Sequence, residues 1–161
     1  MLMRARQQAQ HEHDLCNHFD ILSLSRSDRM KHYGLHFAKY AGRFARGNAE
    51  TKSRAETLVD AFLVALSAAN ALNQALPDVD GRSVVGDAPS DLAFTDQAGR
   101  FADACEKIDH LEEFRTIALD ANEALVEWIV RNAVAGGIDL DVLVENRRRQ
   151  LARRPVYASE S

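Results

Sequence analysis

The chain has 161 residues, of which 46% are hydrophobic and 27% charged, and its formal net charge is −4. A chain of this length and composition can form one globular domain with a sizeable core, residues 1–161. The negative net charge gives no general indication of nucleic-acid binding. Only three prolines and eight glycines interrupt the sequence, so an all-α bundle of five or six helices is predicted.

The cysteines and the apolar runs indicate the compartment. Cys16 and Cys105 are the only two cysteines, which favours a reduced protein without a disulfide framework. The polar start, residues 1–14, does not resemble a secretory signal, and the longest apolar run, residues 61–69, is too short to span a bilayer. We therefore expect a cytoplasmic protein with no membrane partner.

The first segment, residues 1–15, is polar and is predicted to be a frayed N-terminus or the first turns of a helix. His11, His13, Cys16 and His18 lie close together in it. Imidazole and thiolate groups are good ligands for zinc and related metals, but a helix separates His11 from His13 by about 200° around its axis. A solvated helix is the preferred interpretation, and a metal site is the alternative.

A second helix is predicted from Ser25 or Ser27, which are both good N-caps, to Gly47-Asn48. One of its faces is apolar at helical spacing. A second face carries a basic stripe: Arg29, His32, His36, Lys39, Arg43 and Arg46. The stripe is either a solvated face or a surface for phosphate or an acidic partner.

The next helix opens with a capping box, Ser53 to Glu56, and is expected to run to about Leu76. It is apolar nearly all round, which predicts a place at the centre of the bundle. Asp60 interrupts this surface. Because a buried carboxylate is costly unless it is paired or metal-bound, Asp60 requires either a salt bridge to a neighbouring helix or a cation.

The second half is predicted to begin with a long loop, residues 77–93, and a helix capped by Thr95 or Asp96. The phase of the apolar positions shifts near Glu112-Glu113, where a kink or break is expected. Gly136-Gly137 ends the following helix, and Asp139 is a good N-cap for the last one.

Two further features concern the whole chain. Residues 156–161 are predicted to form a flexible tail. The segments Glu56–Leu76 and Asp120–Leu140 both run from acidic residues into alanine-rich apolar sequence, which is compatible with an internal duplication.

Carboxylates are concentrated in two neighbouring segments. Asp120 and Glu123 share one helical face, and Glu106, Asp109 and Glu113 repeat at helical spacing upstream. If the two segments pack together, their carboxylates need a cation, for which Mg²⁺ is the oxygen-preferring choice. A metal-bound water would then be able to attack a phosphoryl group. The alternative is that the acids form the wet side of an amphipathic helix.

The closing helix is strongly basic. Five arginines fall within eight residues: Arg147, Arg148, Arg149, Arg153 and Arg154. Positive charge near a helix C-terminus is favourable by itself, but five guanidinium groups exceed that need and match the geometry of phosphate oxygens. Anion binding is therefore the favoured interpretation.

The segment from Asp120 to Pro155 resembles the closing helices of the MazG-like all-α nucleoside triphosphate pyrophosphohydrolases. That superfamily includes dimeric dUTPases and phosphoribosyl-ATP pyrophosphohydrolases. The turn at residues 137–140, Gly-Ile-Asp-Leu, matches the family's turn before its basic helix. Asp120 and Glu123 match the family's ExxD pair with the two acids exchanged.

The resemblance implies a MazG-like four-helix core, a homodimer, and Mg²⁺-dependent hydrolysis of an NTP or dNTP to the monophosphate and pyrophosphate. It assigns the metal to five carboxylates: Glu106, Asp109, Glu113, Asp120 and Glu123. It also assigns phosphate contacts to Arg147 and Arg154. In the first half of the chain, His36 and Lys39 stand where the family has acids, and Asp60 alone is kept.

The function predicted from sequence is therefore a nucleotide pyrophosphohydrolase or a catalytically degenerate relative of one. The competing hypothesis is a non-enzymatic helical interaction module, in which the acids point outward into solvent. Nucleic-acid binding through the arginines is a third and weaker hypothesis, and it would be strongly salt-dependent.

Overall fold

A computed structural model describes residues 2–79 and 88–152. Within these ranges there are seven α-helices and a 3₁₀ turn at Gly47–Ala49, and no strand. The helices are α1 (Met3–Asn17), α2 (Phe19–Leu22), α3 (Arg26–Arg46), α4 (Arg54–Leu72), α5 (Asp91–Asp109), α6 (Arg115–Ala135) and α7 (Leu140–Ala152). The all-α prediction is confirmed, with six long helices and the single turn of α2 in addition.

The helices α3, α4, α5 and α6 form the core of the bundle. α3 packs against α4 and α5, and α6 packs against the same two helices from the other side. α1 and α7 contact each other and both contact α4. α4 is therefore enclosed by four neighbours, which confirms the central place that its apolar sequence predicts.

Enclosure also explains the high hydropathy of α4. Within the described part of the chain it is the one helix that is long and apolar enough to cross a membrane. However, 78% of its apolar window is buried inside the bundle.

Most of the predicted helix boundaries have the expected cause. The Ser25 side chain accepts a hydrogen bond from the Asp28 amide at 3.1 Å, and Ser53 and Glu56 form a complete capping box. Asp139 Oδ1 accepts from the Val142 amide at 3.1 Å. The break near Glu112-Glu113 is confirmed, since α5 ends at Asp109 and α6 begins at Arg115.

Three predictions of boundaries are corrected. Of the two alternatives for residues 1–15, the structure shows the helix rather than the frayed N-terminus: the segment lies almost entirely in α1, and the Met3 amide donates to Asp78 Oδ1 at 2.6 Å. α4 ends at Leu72 rather than near Leu76, because Asn73 adopts a left-handed φ of 51° and the Gln74 amide closes back on the Ala69 carbonyl.

The start of α5 is the third correction. The helix begins at Asp91, inside the segment predicted as a loop, and neither Thr95 nor Asp96 caps it. The Thr95 hydroxyl instead donates to the Asp91 carbonyl one turn earlier. Of the predicted 77–93 loop, residues 80–87 lie outside the described residues, as do Arg154 and the predicted tail at 156–161.

An aromatic cluster joins three helices of the core. Phe44 of α3, Phe94 of α5 and Trp128 of α6 have ring centroids 4.9–5.0 Å apart. The guanidinium of Arg54, at the start of α4, lies 5.1 Å from the Phe44 ring and 5.6 Å from the Trp128 ring. The cluster therefore fixes the two helix pairs, α3–α4 and α5–α6, against each other.

Candidate functional site

The five carboxylates predicted to hold Mg²⁺ are all exposed: Glu106, Asp109, Glu113, Asp120 and Glu123. Asp109 accepts a hydrogen bond from Lys31 Nζ at 2.7 Å. Glu113 accepts from the Arg115 and Thr116 amides and so satisfies the start of α6.

Glu123 borders a shallow cavity of about 230 Å³ together with Asp78 and Glu127, rather than with the predicted partners. Across residues 2–79 and 88–152, no three His, Cys, Asp or Glu side chains lie within reach of a single metal ion. The magnesium assignment gains no support from this arrangement and stays a prediction.

The histidine-rich segment near the N-terminus lies on and just after α1. His11 and Cys16 are exposed. The rings of His13 and His18 meet edge to face, with centroids 5.5 Å apart. This pair is not part of a three-ligand group within the described ranges, so the alternative of a metal site gains no support and stays a prediction.

A pocket of about 420 Å³ lies between α1, α2, α3, α4 and α7. Four cationic side chains line it: Lys39, Arg43, Lys52 and Arg147. The histidines are His18, His32 and His36, and the two carboxylates are Asp14 and Asp60. Four members of the basic stripe, His32, His36, Lys39 and Arg43, thus line a pocket, although Lys39 is also exposed to solvent.

Asp60 is the centre of the basic end of this pocket. Lys52 Nζ donates to its Oδ2 at 2.7 Å and Arg147 Nε donates to its Oδ1 at 2.7 Å. Arg43 Nη1 lies 3.7 Å from Oδ2. The salt bridge predicted for this buried carboxylate is confirmed.

The pairing determines the charge of Asp60. Burial acts to raise the pKa of its carboxyl, but the hydrogen bonds from Lys52 and Arg147 outweigh burial, and the pKa is lowered below its usual value. Asp60 is therefore ionised at neutral pH. With three cations already around one carboxylate, the residues here do not form an oxygen-ligand set for Mg²⁺.

Lys39 lies beside this ion-pair network without joining it. Its Nζ is 2.9 Å from His36 Nδ1 and 5.0 Å from the centre of the Tyr40 ring. None of the ion pairs among the described residues includes Lys39. Partial desolvation, and then the charge of Arg43, lower the pKa of Lys39.

His36 is held in its neutral form. Burial, followed by the positive charge of Lys39, lowers the pKa of His36 to about 4. Its Nδ1 also lies 3.1 Å from the Tyr40 hydroxyl. Lys39 thus lies beside a neutral imidazole and has no carboxylate partner among the described residues. It is therefore the cation of the pocket most available to an incoming anion.

The opposite end of the pocket contains a second buried carboxylate, Asp14. Ser67 Oγ donates to Asp14 Oδ2 at 2.6 Å, and Gln10 Nε2 donates to Oδ1 at 2.8 Å. Arg148 reaches the same network, but its Nε donates to Gln10 Oε1 at 3.0 Å. Asp14 is 5% exposed, and burial raises its pKa despite the two hydrogen bonds.

Sequence reasoning identified part of this site. The sequence singled out Asp60, the basic stripe and Arg147, and it assigned Arg147 to phosphate binding. Arg154, the second residue assigned to phosphate binding, lies outside the described residues. It missed Asp14, Lys52 and Ser67. The spacing of Ser67 from Asp60, seven residues or two helical turns, places both on one face of α4 and is the one available signal.

Comparisons of the chain with protein-family models, with curated proteins and with solved structures found no match.

Proposed function

We propose that this protein binds a phosphorylated small molecule in the pocket between α1, α2, α3, α4 and α7. The observation that carries the proposal is the charge at the basic end. Three cationic side chains, Arg43, Lys52 and Arg147, contact one carboxylate, Asp60, and a fourth, Lys39, lines the pocket beside them. Four positive charges against one negative charge leave three in excess.

The donor types and the volume both fit such a ligand. Guanidinium and ammonium groups are the usual protein partners of phosphate oxygens, and their hydrogen bonds to anions are stronger than neutral ones. A volume of about 420 Å³ lies in the range of small-molecule sites. The apolar part of the wall, which includes Leu63, Val64 and Leu151, provides a surface for the organic body of the ligand.

The pocket also coincides with positions that the MazG-like resemblance marks. His36 and Lys39 stand where that family has acids, and Asp60 is the acid that is kept. The phosphate would thus meet cationic side chains directly. The resemblance narrows the proposed ligand to a nucleotide. Three further expectations remain predictions: Mg²⁺-dependent hydrolysis to the monophosphate and pyrophosphate, a homodimer, and a cytoplasmic location.

The binding proposal is tested by calorimetric titration with inorganic phosphate, pyrophosphate and a panel of NTPs and dNTPs, in buffer containing EDTA. We expect binding of at least one of these anions, and a loss of affinity on the order of tenfold in Lys39→Met. The matched control is Arg149→Met, which removes one positive charge from the exposed face of α7. Absence of binding by every anion, or equal losses in both variants, would overturn the proposal.

Hydrolysis is tested separately, by pyrophosphate release from the same nucleotides with Mg²⁺ or Mn²⁺. Pyrophosphate release by the wild-type protein that is lost in Asp120→Asn and in Glu123→Gln would support the pyrophosphohydrolase hypothesis. Binding without release from any nucleotide would leave a binding protein and would contradict the pyrophosphohydrolase hypothesis. If the protein shows neither anion binding nor pyrophosphate release, the result would favour the interaction module.

A further inference from the structure

We propose that the ligand of this pocket is bipolar: an anionic group at the basic end, and an ammonium group about 10 Å away that binds the carboxylate of Asp14. The inference rests on the proposed function, because the basic end supplies the anion site. It adds the chemical class of the ligand, a phosphate ester that carries a terminal amine.

The separation of the two ends follows from α4. Asp60 and Ser67 both line the pocket, and seven residues of α-helix rise by about 10 Å. Ser67 holds Asp14 through a hydrogen bond of 2.6 Å. Asp60 and Ser67 are thus two turns of α4 apart, and Asp14 of α1 lies at the Ser67 end of the cavity.

The two carboxylates differ in the charge around them. Asp60 is bonded to Lys52 and Arg147, whereas the two hydrogen bonds of Asp14 come from the neutral groups of Ser67 and Gln10. Buried carboxylates are normally matched by a cation. A carboxylate also accepts about four hydrogen bonds, so Asp14 retains capacity for a positively charged donor.

The nearest guanidinium does not supply that donor. Arg148 Nε donates to Gln10 Oε1 at 3.0 Å and its Nη2 donates to the Arg6 carbonyl at 3.3 Å. Arg148 is thus held alongside the network, with both bonds directed to neutral oxygens. The charges of Arg148 and His18 act on Asp14 without a hydrogen bond to it. An ammonium group in the pocket would donate to Asp14 directly.

One wall between the two ends is apolar. Leu63 and Val64 lie between Asp60 and Ser67 on α4, and Ile21, Leu22 and Leu151 extend this wall from α2 and α7, while α3 contributes His32 and His36 on its own side. The apolar wall suits an alkyl chain or a ring. The class of ligand is therefore charged at both ends and apolar between them.

The test compares two phosphates of equal length, 6-aminohexyl phosphate and heptyl phosphate, by calorimetric titration. When extended, the first places its nitrogen roughly 10 Å from phosphorus, the spacing derived from α4, and the second has a methyl group in place of the ammonium. We expect 6-aminohexyl phosphate to bind wild-type protein at least about tenfold more tightly. We expect the ratio to fall towards one in Asp14→Asn, with heptyl phosphate binding retained.

Equal affinities in the wild-type protein, or an undiminished preference in Asp14→Asn, would overturn the inference while leaving phosphate binding intact. Binding of neither phosphate would instead overturn the proposed function. If Asp14→Asn does not fold, Ser67→Ala is the second variant, since it removes the hydrogen bond that positions Asp14. We expect it to reduce the preference for the amine, and an unchanged preference would count against the inference.

Discussion

Arg147 Nε donates a 2.7 Å hydrogen bond to Asp60 Oδ1, and this bond joins α7 to α4 across 87 residues of sequence. The Asp60 side chain is only 10% exposed, so its charge depends on this arginine and on Lys52. The same contact holds the C-terminal helix over the pocket. The pair therefore links the stability of the bundle to the shape of its basic site.

Replacing Asp60 by asparagine is expected to destabilise the protein. The substitution removes the carboxylate and leaves Lys52, Arg43 and Arg147 crowded together without their anion. Breaking a fully buried pair costs roughly 3–5 kcal/mol. Because these cations are 19–31% exposed, we expect a loss of about 2 kcal/mol in the free energy of unfolding, measured by urea denaturation at pH 7.

The control for this prediction is Asp96→Asn. Asp96 pairs with Arg100 one turn away on α5, and both side chains are more than half exposed. Its loss should leave the unfolding midpoint unchanged. Equal effects of the two substitutions would contradict the structural role assigned to Asp60.

Arg54→Lys is expected to lower stability although the charge is kept. The guanidinium bonds both oxygens of Asp91, at 2.7 and 3.1 Å, and also Asn132 Oδ1 at 2.8 Å, while it stacks on Phe44 and Trp128. An ammonium group cannot form this planar fork. We expect a loss of about 1 kcal/mol, since the pair is partly exposed.

The measurement for Arg54 uses the fluorescence of Trp128, the only tryptophan in the chain. Denaturant titration should show a shifted midpoint, together with a changed native emission because the cation above the indole is altered. Arg100→Lys, on an exposed helix face, is the matched control. A variant as stable as the wild type would show that the fork is dispensable.

Gly34 marks a close approach of α3 to α5. A Cβ at this position would lie 3.3 Å from Cys105 Sγ. Replacing a helical glycine by alanine normally gains about 1 kcal/mol, but here we expect crowding against the sulfur to cancel most of that gain. In a Cys105→Ala background the gain should reappear.

A double-mutant cycle measures this coupling between Gly34 and Cys105. The quantity compared is the effect of Gly34→Ala on the free energy of unfolding in the two backgrounds. If alanine stabilises both backgrounds equally, the close approach has no energetic consequence.

His36 is expected to make stability depend on pH. Its pKa in the folded state, about 4, lies below the ordinary histidine value of 6.5, so the unfolded chain takes up the proton first as pH falls. The free energy of unfolding should therefore be at its full value above pH 6.5 and fall as pH decreases from 6.5 towards 4. His36→Gln should reduce this slope.

The slope is measured by urea denaturation at several pH values between 7.5 and 4.5. The folded pKa of His13 is also lowered to about 4, so the wild type and His36→Gln must be compared directly. His11→Gln, at an exposed position on α1, reports the effect of losing any one histidine. Parallel curves for wild type and His36→Gln would refute the prediction.

Local patterns of sequence predicted the helices and several of their ends. The capping box of Ser53 and Glu56 and the N-cap of Asp139 depend on residues within one turn of each other, so they can be read without the fold. The end of α4 at Leu72 was missed because three helix-compatible residues follow Asn73 before Pro77. The left-handed conformation of Asn73 accompanies the hydrogen bond from the Gln74 amide to the Ala69 carbonyl.

The candidate site was less predictable, because its residues come from distant parts of the chain. The sequence marked Asp60 as a carboxylate in need of a partner and Arg147 as an anion ligand, but not that the two meet. It also grouped Glu106, Asp109, Glu113, Asp120 and Glu123 by their spacing. They belong to the end of α5, the connection after it and α6, and all five proved to be exposed.

The sequence by itself determined an all-α bundle, a central apolar α4 and an excess of positive charge on α3 and α7, because helical periodicity and charge are local properties of the chain. Only the tertiary structure decided that Arg43, Lys52 and Arg147 contact Asp60 with Lys39 beside them, and that Asp14 faces the other end of the same pocket. The packing of α1 and α7 against α4 produces both arrangements. Such contacts depend on how helices cross, which no short segment encodes.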